Sequence, residues 1–143
     1  MFLDDLATRL VTNGVGAAGV NIFYGSASLP TPQNYPKGDA TKGNGPYLVL
    51  TATGGLAPER VQNKKSANTR QPTAQVLSTA ADPAAAWAMI MLAFTALDGA
   101  FNEVIGTTFY LSLKAIQEPA NMGVDSTGRN SQIVFNVQAE YSA

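Results

Sequence analysis

At 143 residues, 45% apolar and with a net charge of −1, the chain suits one domain with one core and lacks the basic excess of a general nucleic-acid binder. Only 13% of its residues are charged, about half the usual ~25%, so much of its surface is neutral and cheap to desolvate in a protein contact. It contains neither cysteine nor histidine, which excludes disulfides, thiolate zinc sites, thiol nucleophiles and the usual general base.

The opening MFLDDLATRL carries acids early and has no basic n-region, so no secretory signal is expected. Residues 2–12 read as a short helix, with Leu3, Leu6, Ala7 and Leu10 on one face. Asp4 and Asp5 fall in its first turn, where acids suit the helix dipole, and Asn13-Gly14 supplies a stop. Residues 14–19 (GVGAAG) superficially match a dinucleotide fingerprint. The context is inverted, because here a helix precedes and a strand follows. VNIFY (residues 20–24) is that predicted strand.

Residues 25–46 hold four prolines and four glycines with no period of either helix or strand. A loop of this length in a small domain is functional or disordered, and the functional reading is an arm that orders against a neighbouring subunit. YLVLTAT (residues 47–53) is a strand, broken by Gly54-Gly55. Residues 56–71 are a polar, basic loop in which Arg60, Lys64, Lys65 and Arg70 stand against Glu59. PTAQVLST (residues 72–79) is the return strand, with Pro72 at its start or on an edge.

Asp82 and Pro83 open the main helix as N-cap and first helical residue. Trp87, Ile90, Met91, Phe94 and Leu97 form its predicted buried stripe, widened by Met89, Ala93 and Ala96. Asp98-Gly99 closes it. The helix is too short and too interrupted for a membrane span, so no membrane partner is expected. Residues 106–117 alternate, with Phe109, Leu111, Leu113 and Ala115 on one face and Tyr110, Ser112 and Lys114 on the other. Pro119 stops that strand, residues 122–130 turn, and residues 131–141 alternate again, with Ile133, Phe135, Val137, Ala139 and Tyr141 together. The two strands should pair antiparallel.

The expected fold is therefore α+β: one domain over residues 1–143, an antiparallel sheet of four to five strands, the main helix on one face and the short N-terminal helix nearby. The other sheet face reads as polar with few charges. No constellation for catalysis, cofactor or metal emerges. The ten acids are scattered, and neighbours such as Asp4 and Asp5 do not face each other on a helix.

The chain resembles the tail terminator or "minor capsid" proteins of long-tailed bacteriophages. The likeness runs in order through LDDLATRL, the strand YLVLTATGG followed by Pro58-Glu59-Arg60, and RQPTAQV. It continues through DPAAAWAM, GTTFYLSLKAIQEP and DSTGRNSQIVFNVQAEY, and omits residues 25–45. The resemblance implies a non-enzymatic virion protein at the head–tail junction, assembled in the host cytoplasm. It implies a homohexameric ring on the head-proximal end of the tail tube, which stops tube polymerisation and docks to the head connector. Its partners would be itself, the tail tube protein and the connector or stopper protein, with genomic DNA passing through the lumen without sequence-specific contact and no cofactor. Candidate interface residues are Leu29, Tyr35, Lys37 and Lys42 in the arm, and Glu59, Arg60, Lys64, Lys65 and Arg70 in the basic loop. A head-completion (stopper) protein and a small single-stranded nucleic-acid binder are the competing readings.

Overall fold

A computed structural model describes residues 2–16, 21–24, 46–60, 68–124 and 131–142, with backbone alone at 55–60, 68–69 and 142. Chain order is α1 (Phe2–Thr12), β1 (Ile22–Tyr24), β2 (Tyr47–Arg60), β3 (Asn68–Ala80), α2 (Pro83–Leu97), β4 (Ala100–Ile105), β5 (Thr108–Ala115), β6 (Ala120–Val124) and β7 (Ser131–Ser142). The strands form one sheet in the order β1-β2-β3-β7-β5-β4, with β6 also on β7. The α+β class holds, but the expected antiparallel sheet of four to five strands is corrected to a mixed sheet of seven, because β1 runs parallel to β2.

Three local causes account for the difference. Gly54-Gly55 does not end β2. Gly54 takes φ 95° at a register shift between Ala52 and Gly54, so the strand bulges and continues to Arg60. Residues 56–60 and 68–71 of the basic loop are thus strand, paired between β2 and β3. β4 escapes notice because AFNEVI does not alternate: its burial runs inside at Ala100 and Ile105 and outside between them. Asn102, midway along it, takes φ 52° in the left-handed region. Pro119 interrupts rather than ends pairing. β5 lies along residues 137–141 of β7, and β6, in what reads as turn, lies along residues 131–134 of the same strand.

α2 starts as its sequence requires. Asp82 is extended at the N-cap and its side chain accepts the Ala84 N–H at 3.0 Å, with Pro83 following. The helix lies on β3 and β7, and its buried side is Ala86, Met89, Ile90, Ala93, Ala96 and Leu97. The predicted stripe is therefore rotated: Ile90 and Leu97 are inside, Phe94 is half-buried against Phe135, and Trp87 and Met91 are exposed. Beneath α2 the sheet contributes Leu48, Leu50, Ala74, Val76, Ile133, Phe135, Val137 and Ala139.

On β5 the alternation is broken by a bulge between Tyr110 and Ser112 opposite β7. Tyr110 pairs with Tyr141, Leu113 with Ala139 and Ala115 with Val137, so these three face the core. Phe109 and Leu111, predicted inside with Leu113, are exposed instead. The reverse sheet face is polar at its centre, around Thr51, Gln75, Asn136 and Gln138, and carries Lys114 and Glu140 toward β5. Toward β1 it carries a second buried cluster of Phe23, Tyr47 and Val49, with Leu77 against it.

Candidate assembly surfaces

The N-terminal helix is fixed to the sheet by polar contacts that its sequence pattern does not announce. Asp5 is buried and accepts the Tyr110 hydroxyl at 2.6 Å; Asp4 accepts the Tyr24 hydroxyl. Burial first, and the hydrogen bond to a carboxylate second, push both phenols well above their ordinary pKa. Arg9 reaches across from α1 and donates from Nε to the Ala96 carbonyl at 2.6 Å, satisfying a last-turn acceptor of α2. Its Nη1 pairs with Glu103 on β4 at 2.5 Å. These contacts make α1 a structural brace, and they use the acids that sequence reasoning assigned to the helix dipole alone.

The same corner forms an open cleft of about 260 Å³ lined by Thr8, Arg9, Thr12, Asn13, Val104, Ile105 and Gly106. Its one cation is already engaged twice, so it offers no unneutralised charge to a ligand. Among the described residues no three acidic, histidine or cysteine side chains converge as metal ligands. Nor is any described helix long and apolar enough to cross a membrane.

Of the predicted interface residues, Leu29, Tyr35, Lys37, Lys42, Lys64 and Lys65 lie outside the described residues. Glu59 and Arg60 end β2, opposite Thr69 and Asn68, and Arg70 follows on β3, where it is exposed and paired with Tyr141 of β7. The hairpin register thus gathers Glu59, Arg60 and Arg70 at one end of the sheet.

Sequence reasoning missed the apolar surface. Along α2, Trp87 (38% exposed), Met91 (43%) and Leu92 (55%) share the side turned away from the sheet. The available signal is that none of the fifteen residues of α2 is charged, so no residue marks an outer face. On the opposite side of the molecule, register pairs Val104 with Phe109 and Phe101 with Ser112 across β4 and β5. The bulge puts these pairs on the sheet face turned away from Tyr110 and Leu113. Phe101 is 61% exposed, Val104 66% and Phe109 47%. Met122 and Val124 on β6, and Ile116 just after β5, are exposed as well. Large exposed apolar side chains grouped in this way are candidate protein-contact surfaces.

Residues 13–141 match the family described as bacteriophage tail terminator protein. The chain belongs to that family. A tail terminator is a structural protein of the phage tail. One solved chain, from a structure described as the virion of native gene transfer agent (GTA) particle, is 18% identical to this tail terminator with a TM-score of 0.49. That match covers 96% of this chain and 84% of the other. No curated protein matches it.

Proposed function

We propose that the protein is one subunit of a closed ring that caps the head-proximal end of the tail tube, stops its polymerisation and docks to the head connector. The family match over residues 13–141 carries this reading, and the uncharged apolar surfaces on both sides of the subunit support it. A heterologous contact closes into a ring when its rotation closes, and six copies are the number the family resemblance implies. The whole chain acts as one domain. Within the ring, the arm at 25–46, with Leu29, Tyr35, Lys37 and Lys42, touches a neighbouring subunit or tail partner. The hairpin end, with Glu59, Arg60, Lys64, Lys65 and Arg70, meets an acidic partner surface or the phosphates of passing DNA. The work is positional, and no bond-making step is assigned to any residue.

Light scattering followed by negative-stain imaging tests the ring, alone and with purified tail tubes. Sixfold annuli, or caps on tube ends, are expected; a protein that stays monomeric in both settings overturns the proposal. A pulldown decides its position: retention by tail tube protein is expected, whereas retention only by portal-side protein assigns a stopper role. Removing residues 28–44 should cut assembly yield while leaving the subunit folded. Reversing the charge of Arg60 and Arg70 together should weaken docking to the connector.

A further inference from the structure

Resting on the ring reading, we infer that neighbouring subunits join head to tail, with the outer side of α2 on one copy seated against the outer β4–β5 ribbon of the next. Trp87, Met91 and Leu92 form one half of the contact, and Phe101, Val104 and Phe109 form the other.

The two halves lie on opposite sides of the same subunit. α2 covers one sheet face and turns these three side chains away from it, while the ribbon residues lie on the reverse face at the sheet edge. No intramolecular contact can bring them together. A two-fold contact would pair each patch with its own copy and leave the other wet. A head-to-tail contact covers both patches with a single interface, and it is the kind that generates rings.

Size and chemistry also fit a second copy. From their fractional exposures the six side chains present on the order of 600 Å² of apolar surface, enough for the centre of a standard interface of roughly 1,600 Å² once a polar rim is added. Neither half places a charge at its centre, because α2 has none and the ribbon's paired positions are Val104 with Phe109 and Phe101 with Ser112. The nearest charge on that face is Glu140 of β7, in register with Ser112, which borders the patch and belongs to the polar rim of the contact. The ribbon supplies two phenylalanines and the helix a tryptophan, the residue types that dominate interface energetics.

The absence of cysteine makes the test direct. Leu92→Cys and Val104→Cys are both at exposed positions, so each full-length variant should keep the wild-type circular dichroism and melting temperature. Treated separately with a short bis-maleimide, each should stay uncrosslinked; mixed, they should give a covalent dimer. The double variant should give a ladder of multimers ending at the ring. Crosslinking of either single variant with itself would show a two-fold contact and overturn the inference. Absence of any crosslink both in free protein and with purified tail tubes also overturns it, and imaging of the same samples then separates the two claims. If annuli are present, the ring stands on other surfaces; if annuli are absent even with tail tubes, the ring reading falls as well.

Discussion

Two tyrosine hydroxyls and one arginine decide where the N-terminal helix sits. Tyr110 donates to Asp5 inside the protein, so Tyr110→Phe leaves a buried carboxylate short of a donor. The expected loss is about 1.5–3 kcal/mol in urea unfolding, the range for hydrogen bonds to charged groups. Alkaline pH probes the same contacts. The folded-state pKa of Tyr24 and Tyr110 lies above the ordinary phenol value near 10, so the unfolded chain releases these protons first. Their contribution is fully present below about pH 10 and is lost as pH rises toward the folded values. Thermal melts should therefore fall steeply above that point, and Tyr24→Phe should soften the fall. Gly106 faces the same carboxylate. It sits at φ 63°, and a Cβ there would lie 2.4 Å from Asp5 Oδ1. Gly106→Ala combines a left-handed backbone with a clash, and should cost about 2 kcal/mol or more by the same unfolding assay.

Elements whose limits are written in adjacent residues were legible before any coordinates. Asp82-Pro83 and Asp98-Gly99 bracket α2, and the alternation from Ile133 to Tyr141 marks the core face of β7. Asp82→Ala removes the side-chain acceptor for the Ala84 N–H; we expect about 1 kcal/mol of destabilisation, read as a lower melting temperature with unchanged helix content. What escaped depends on residues distant in sequence. A bulge shifts side-chain parity without a local marker, so Phe109 and Leu111 read as core until β7 sets the register. α2 is apolar on every side, and periodicity then cannot tell which side is inside. The site divided along the same line. The charge run at Glu59, Arg60 and Arg70 was visible as composition, and β2–β3 pairing brings it to one end of the sheet. Trp87, Met91, Leu92, Phe101 and Val104 were invisible as surface, because an apolar residue is read as buried until the fold leaves it outside.

At the scale of the whole subunit, low charge and two uncovered apolar sides predict how association responds to solvent. Contacts centred on uncharged α2 and on the apolar pairs of the β4–β5 ribbon draw their strength from apolar burial, so ring formation should hold as salt rises from about 50 to 500 mM, a range over which exposed charge pairs are screened out. Docking through the basic hairpin end should weaken over the same range. Light scattering for the first and a pulldown for the second separate the two terms. Salt-sensitive ring formation would move the subunit contact to the charged end of the sheet.

Asn102 has a further consequence. Its left-handed φ breaks the extended backbone midway along β4, so an incoming chain is denied an uninterrupted run of free amides and carbonyls along that rim. A protein with phenylalanine and valine exposed on an outermost strand would otherwise invite endless strand-by-strand stacking into fibrils. With that rim interrupted, the exposed side chains of β4 are left to meet a partner face-on, which is the kind of contact the proposed closed ring requires.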